Sequence, residues 1–282
     1  MSDHDGPATE LRAATDSARA IPQLSATVSL TLDDAYRVQR AGVRAREAEG
    51  DLLAGVKLGF TSKEKAVQMG VHDIIIGTLT QTMELRADDV LDLRHLIHPR
   101  VEPEVAFRLA THADQLDLDD PDLDLTDHVT HVAAALEVID SRYRDFVFSL
   151  EDVVADNTSA ARFHVGQWYD FADLRDPLTR RPVTMLENGV EVVRGDTSAI
   201  LGDPMIALST VLRLARRHGL VLPPSAIILA GAATAAVAMR PSSTYEARVD
   251  GLVPARITTA VEPCSSRVET ASGAPPHITV VR

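Results

Sequence analysis

The chain opens with two segments whose apolar residues recur at helical spacing. Leu11 and Ala14 lie on one such face, and a second helical face follows Thr31, a candidate N-cap. The alternating segment LLAGVKLGFT then predicts a strand, and Ser62 marks the start of another predicted helix. Residues 1–75 are therefore expected to form an N-terminal region of helices and a strand.

Short β-branched runs dominate from residue 74 onward. They are IIIGTLT, MELR, PEVAFRL, AALEVID, RFHVG, VTML, VEVVRG, AIILAG and TYEARVDGLVPARITTAV. Asn188-Gly189 predicts a type I′ hairpin turn, and one helix is expected after Pro204, ending at Gly219. So many strands with so few helices disfavour a doubly wound parallel sheet. We predict an α+β fold in which residues 76–262 form a mixed-β roll or sandwich and residues 263–282 a flexible tail.

Composition excludes several classes of function. The 282 residues are 45% hydrophobic, enough for a sizeable core, and no apolar run approaches the ~20 residues of a membrane span. A net charge of −13, 4% aromatic residues and no basic stripe argue against nucleic acid as a partner. The single cysteine, Cys264, excludes an intramolecular disulfide framework. With no secretory signal pattern at the N-terminus, a cytoplasmic location is expected.

Three glutamates interrupt runs that otherwise read as buried strands. Glu102 and Glu104 lie in HPRVEPEVAFRL, and Glu137 lies in AALEVIDSRY. Residues i and i+2 of a strand share a face, so the first two carboxylates can point to one place, where a hard divalent cation would neutralise them. The alternative is two exposed carboxylates at a sheet edge, which Pro103 favours because proline prefers edges and bulges. Both interpretations remain open from the pattern.

Two further segments have a structural and a functional interpretation. Lys57 lies between glycines and apolar residues in GVKLG. It is interpreted either as a surface lysine on a short strand or as a desolvated cation beside a bound anion. In EDVVADNTSA, the small polar residues from Asp156 to Ser159 are typical of a turn and alternatively form a pocket wall. No histidine cluster, nucleophile motif or phosphate loop is present.

Several long segments resemble one known family. GVKLGFTSKEKAVQMGV, HPRVEPEVAFRL, AALEVIDSRYRDFVFSLEDVVADNTSA and ILAGAATAA are similar to the hydratase/decarboxylase branch of the fumarylacetoacetate hydrolase superfamily, over about residues 30–260. The resemblance implies a mixed-β roll with an N-terminal helical region, in homo-oligomers that can associate with a homologous hydratase. It also implies a role in aromatic meta-cleavage catabolism.

The resemblance also assigns roles to residues. Glu102, Glu104 and Glu137 match the ligands of Mg²⁺ or Mn²⁺, and Lys57 matches the family's lysine beside a small 2-oxo acid substrate that binds the metal. The expected substrate contacts are Leu58, Gly59, Ile75, Asn157, Ser159 and Thr234.

Two lyase activities of this branch compete. Hydratase-like members carry an aspartate where this chain has Ile75, and loss of that carboxylate removes a candidate base for adding water. The resemblance therefore favours metal-dependent decarboxylation of 2-oxohex-3-enedioate over hydration of 2-hydroxypenta-2,4-dienoate, and Thr234 lies in a segment with the decarboxylase pattern. Less favoured alternatives are a non-catalytic partner subunit and an acylpyruvate-type hydrolase, which would need a His–Glu pair that the sequence lacks.

Overall fold

Four helices occur in the part of the chain that the computed structural model describes, residues 4–62 and 74–261. They are α1 (Asp5–Ser17), α2 (Leu32–Ala48), α3 (Leu150–Ala155) and α4 (Ile206–His218). Thr31 caps α2 as predicted, since its hydroxyl accepts from the N–H of Asp34 in a capping box. Gly219 ends α4 in the left-handed conformation, with φ 62°. The helix expected from Ser62 lies outside the described residues.

The strands form two sheets. They are β1 (Leu53–Gly59), β2 (Ile75–Thr80), β3 (Val90–Leu91), β4 (Arg100–Leu109), β5 (Val129–Ile139), β6 (Ala160–Val165), β7 (Tyr169–Asp170), β8 (Pro182–Glu187), β9 (Val190–Asp196), β10 (Ile227–Ala232), β11 (Val237–Ala238), β12 (Thr244–Val249) and β13 (Ala255–Thr259). An eight-stranded sheet has the order β2-β1-β10-β4-β5-β6, with β11 on β4 and β7 on β5. A five-stranded sheet has the order β3-β13-β12-β8-β9. Among the strands that the structure describes, β1–β10 and β13–β3 pair in parallel and the other pairs are antiparallel. This mixed arrangement with few helices confirms the predicted α+β class.

The local strand predictions hold with one exception. Asn188 and Gly189 join β8 to β9 with φ of 53° and 80°, as a type I′ turn requires. The segment Met83–Arg86 was expected to be a strand, and that expectation is wrong. Met83 ends a 3₁₀ turn, and Glu84 makes only an isolated bridge to Phe163. The N–H of Leu85 donates to the carbonyl of Phe163 (2.7 Å), but no regular ladder follows.

The centre of the eight-stranded sheet is the core that supports the site. Val105 and Phe107 on β4 and Leu136 on β5 are fully buried. Gln39 of α2 ties the helices to this sheet, because its amide donates to the carbonyls of Ile76 (3.0 Å) and Val154 (3.1 Å).

The boundary expected at residue 75 falls inside the large sheet, where β1 lies between β2 and β10. The division into 1–75, 76–262 and 263–282 stays a prediction, and the expected tail lies outside the described residues. Across residues 4–62 and 74–261, no helix is long and apolar enough to cross a membrane.

Candidate metal centre and active site

The three glutamates converge because of the register between two central strands. Glu102 lies directly opposite Glu137 in the antiparallel β4–β5 pair, and Glu104 follows on the same face of β4. One oxygen from each carboxylate lies within 4.8 Å of the others. The period of two thus places Glu102 and Glu104 together as predicted, and the register adds Glu137.

Pro103 lies in an interior strand, where a missing N–H would normally leave a gap in the ladder. The neighbouring strand β10 is irregular at this point, between Leu229 and Ala232. Gly231 there has φ 114°, and its N–H donates to Glu104 Oε2 (2.8 Å) instead of to a strand carbonyl. The irregularity therefore accommodates the proline and supplies a ligand-orienting hydrogen bond.

The carboxylates are too deeply buried for an exposed sheet edge. Glu104 is 0% exposed, Glu137 1% and Glu102 8%, so the edge interpretation is wrong. Among the described residues, no donor reaches Glu104 Oε1 or Glu137 Oε2. Buried oxygens without donors are costly, and a cation is the partner that would satisfy them.

Lys57 of β1 is the positive charge beside this cluster. Its Nζ lies 2.9 Å from Glu137 Oε1 and donates to the carbonyl of Thr158 (3.1 Å). The side chain is buried, which contradicts the surface-lysine interpretation. Burial alone would lower the pKa of Lys57, but the charges of Glu137, Glu104 and Glu102 raise it above its usual value. Lys57 is therefore a buried ammonium.

Burial and mutual repulsion raise the pKa values of the carboxyl groups in the cluster. Burial, then the charge of Glu137, raises the pKa of Glu104 well above its usual value, although Lys57 opposes the shift. Burial also raises the pKa of Glu137, again opposed by Lys57. Three carboxylates and one ammonium sum to −2, so a divalent cation with oxygen ligands fits both the charge and the donor set.

A left-handed turn forms the wall beside Lys57. Asn157, Thr158 and Ser159 have φ of 49°, 53° and 58°, a conformation that non-glycine residues seldom adopt. Asn157 fixes the turn to β2, since its side chain accepts from the N–H of Thr78 and donates to its carbonyl, both at 2.8 Å. Gly77 makes room for it, because a Cβ there would lie 2.2 Å from Thr158 Oγ1. Among the described residues, nothing bonds the buried hydroxyls of Thr158 and Ser159.

Arg142 holds both ends of this turn. Its guanidinium donates to the carbonyls of Asp156 (2.6 Å) and Ala160 (3.2 Å), and its Nε pairs with the Asp156 carboxylate. Burial raises the pKa of Asp156 to about 6 even though Arg142 acts to lower it. Arg142 thereby positions the Thr158 carbonyl to accept the hydrogen bond from Lys57.

A cavity of about 490 Å³ opens beside the cluster. Of the expected metal ligands, Glu102 lines this cavity. Five other expected active-site residues line it as well: Lys57, Leu58, Gly59, Ile75 and Ser159. Two expected substrate contacts, Asn157 and Thr234, do not line it. Asn157 uses its amide to hold the turn, and the Thr234 hydroxyl donates to the Ala235 carbonyl (3.0 Å). A second cavity of about 480 Å³ shares only Arg100 with the first.

The cavity lining also includes residues that were not predicted from the sequence, among them Arg100, Phe146 and Phe148. Arg100 carried a signal, since it precedes Glu102 by two positions on the same strand face. Phe146 carried none, because it follows Asp145 in an irregular segment where both residues have φ of 57°.

No family model matches the chain. Among curated proteins it is 41% identical, over 87% of this chain and 93% of the relative, to a 4-oxalocrotonate decarboxylase from Pseudomonas sp. It is 34% identical to a 2-keto-4-pentenoate hydratase from Burkholderia vietnamiensis, over 89% of this chain and 95% of the relative.

The chain is also similar to solved structures. The 4-oxalocrotonate decarboxylase of Pseudomonas putida G7, complexed with magnesium and adipate, superposes with a TM-score of 0.81 at 31% identity, covering 91% of this chain and 97% of that one. A fumarylpyruvate hydrolase from Pseudomonas aeruginosa, with a TM-score of 0.55 and 14% identity, covers 73% of this chain and 89% of its own and shares the fold alone. The fold predicted from the sequence is thereby confirmed.

Proposed function

Because the chain belongs to the hydratase/decarboxylase branch of the fumarylacetoacetate hydrolase superfamily, we propose that it is a Mg²⁺-dependent decarboxylase. Its substrate is 2-oxohex-3-enedioate (4-oxalocrotonate), and its products are CO₂ and 2-hydroxypenta-2,4-dienoate. The observation that carries the proposal is a buried Glu102–Glu104–Glu137 cluster beside Lys57, opening on a cavity whose wall at Ile75 is apolar.

Glu102, Glu104 and Glu137 are the residues that would hold the metal. Mg²⁺ takes carboxylate oxygens as ligands, and the oxygens of Glu104 and Glu137 that lack protein donors fit that role. When bound, Mg²⁺ supplies a Lewis acid that stabilises negative charge developing on the C2 oxygen of a 2-oxo acid. Mn²⁺ has the same ligand preference and is the expected substitute.

Lys57 balances the charge of the site and faces the substrate anion. Its Nζ is held by Glu137 and the Thr158 carbonyl, so the ammonium is fixed before substrate arrives. Leu58 and Gly59 continue the same strand along the cavity wall. We assign to Lys57 the stabilisation of the electron-rich intermediate that remains when CO₂ leaves.

Ile75 supplies an apolar part of the cavity wall. Its side chain is 2% exposed and lines the cavity, where it offers no proton acceptor that could activate water. An apolar wall accommodates neutral CO₂ and offers no hydrogen-bond partner to a water molecule. This residue therefore supports decarboxylation over hydration.

The test is a turnover assay of the purified protein with Mg²⁺ and with EDTA. We expect CO₂ release from 2-oxohex-3-enedioate only with the metal. Equal CO₂ release in EDTA would contradict the metal assignment, and no CO₂ release under either condition would contradict the decarboxylase.

A hydratase is the second candidate, supported by the relative at 34% identity. It predicts Mg²⁺-dependent loss of the absorbance of 2-hydroxypenta-2,4-dienoate without CO₂ release from the dicarboxylate. A non-catalytic partner subunit predicts Mg²⁺ binding without turnover of either compound. The intact cluster beside Lys57 supports an enzyme rather than such a subunit.

We further propose that the chain forms homo-oligomers. Strand β9 is an edge of the five-stranded sheet, and Val190 and Val192 on it are 67% and 42% exposed. Unpaired edges with apolar side chains are favourable surfaces for association. Light scattering after gel filtration tests this, and a monomer at micromolar concentration would contradict it. Association with a homologous hydratase and a cytoplasmic location remain predictions.

A further inference from the structure

Arg100 lies at the outer end of the row of residues that forms the metal cluster. On β4, Glu104, Glu102 and Arg100 occupy alternate positions on one face. Glu104 is 0% exposed, Glu102 is 8% exposed and Arg100 is exposed. Arg100 and Glu102 both line the cavity. The row therefore leads from the buried cluster to the cavity mouth.

Among the described residues, Lys57 and Arg100 are the two cations that line this cavity, and Arg100 is the one without an ion pair. Lys57 pairs with Glu137, and Arg94, near the second cavity, pairs with Asp92. Within residues 4–62 and 74–261, Arg100 forms no ion pair. Its guanidinium carbon instead lies 4.4 Å from the centre of the Phe146 ring. Stacking on an aromatic face leaves the edge of a guanidinium free to bind a carboxylate through two hydrogen bonds.

We propose that Arg100 binds the carboxylate at the far end of the substrate and so selects dicarboxylic over monocarboxylic 2-oxo acids. This rests on the proposed function, which places the 2-oxo acid end at the glutamate cluster. Alternate residues of a strand are about 6.8 Å apart. The terminal carboxyl carbons of an extended six-carbon chain are separated by about 6–7 Å. A substrate anchored beside Glu102 therefore ends beside Arg100.

The contact also favours release of the product. The carboxylate that Arg100 binds is the one lost as CO₂, so the monocarboxylate product lacks this contact and binds more weakly. Because the pairing forms with the substrate and is lost as the carboxylate departs, Arg100 lowers KM rather than raising kcat. Asp145 lies on the same cavity wall with the opposite charge and cannot perform this role.

The experiment compares two ligands that differ only in the far carboxylate, 2-oxoadipate and 2-oxohexanoate. Their dissociation constants are measured by calorimetry with saturating Mg²⁺, for the unaltered protein and for Arg100→Gln. We expect the substitution to weaken 2-oxoadipate about 10-fold and 2-oxohexanoate less than twofold, since a charge-assisted pair is lost only with the first. Arg100→Lys keeps the charge but loses the paired N–H donors of the guanidinium. Its affinity for 2-oxoadipate should lie between those of the unaltered protein and Arg100→Gln. Asp145→Asn is the matched control and should keep the preference.

The outcomes separate this inference from the proposed function. Equal weakening of both ligands by Arg100→Gln, or loss of the preference in Asp145→Asn as well, would overturn the role of Arg100 while Mg²⁺-dependent binding still supports the enzyme. Absence of Mg²⁺-dependent binding of both ligands to the unaltered protein would overturn the proposed function and this inference together. In turnover, a rise in KM for the dicarboxylate at nearly constant kcat supports capture by Arg100, and an unchanged KM contradicts it.

Discussion

Glu104→Gln should stabilise the metal-free protein and weaken the metal-bound one. The glutamine keeps the shape of the side chain, and its amide oxygen can still accept the N–H of Gly231 that Glu104 Oε2 accepts at 2.8 Å. It removes a carboxyl whose pKa burial and Glu137 raise well above the usual value. The substitution thus relieves repulsion in the absence of metal and removes a ligand in its presence.

The distances set the size of both effects. Two unit charges 4.8 Å apart, the limiting separation of these carboxylate oxygens, repel by about 3.5 kcal/mol at an effective dielectric constant of ~20. Lys57 and the uptake of a proton by Glu104 offset most of this, so we expect a gain in free energy of unfolding of about 1 kcal/mol in EDTA. At a Mg²⁺ concentration of ~100 Kd, binding adds about 2.7 kcal/mol to the unaltered protein. The variant should lose most of that increment, so the order of stability reverses with metal.

Urea unfolding at pH 7, in EDTA and across a Mg²⁺ titration, measures both quantities, with turnover measured in parallel. Glu191→Gln on the exposed strand β9 is the control and should change neither. A Glu104→Gln protein that is clearly destabilised in EDTA would show that the carboxylate is needed for folding. One that retains the full Mg²⁺ increment, or full turnover, would refute the ligand assignment.

Three further substitutions test other parts of the site and fold. Lys57→Met should lower kcat ~100-fold or more while the protein stays folded by circular dichroism, and an unchanged kcat would remove Lys57 from the reaction. Gly77→Ala places a Cβ 2.2 Å from Thr158 Oγ1, so it should cost about 1–3 kcal/mol of stability and lower kcat; a neutral result in both assays would contradict this packing. Burial holds the pKa of His218 at about 4, so stability should fall by up to about 3 kcal/mol as pH drops from 6.5 to 4. His218→Phe, which keeps the stack on Tyr36, should abolish that slope in urea unfolding, and an unaltered slope would assign it to other groups.

The candidate metal centre was partly predictable from the sequence because its residues break a local rule. Carboxylates at alternate positions of an apolar strand are unusual, but the pattern of Glu102 and Glu104 left a metal site and an exposed sheet edge both open. The burial of the side chains excludes the edge. The pairing of Glu102 with Glu137 was not predictable from periodicity, since register between strands is set by contacts distant in sequence. From the sequence, Pro103 favoured an edge position for its strand. The irregularity of β10 that accommodates it in the interior lies more than a hundred residues away.

The turn beside Lys57 lies beyond sequence reasoning for an energetic reason. Asn157, Thr158 and Ser159 suggest a turn by composition, but each costs roughly 1–2 kcal/mol in the left-handed conformation. Such strain persists only where the surroundings hold it, and here Arg142 does so through backbone carbonyls on both sides of the turn. Arg142 does not line the cavity, yet the Thr158 carbonyl that orients Lys57 depends on it. The geometry of the reacting groups therefore rests on a buried arginine that no local motif identifies.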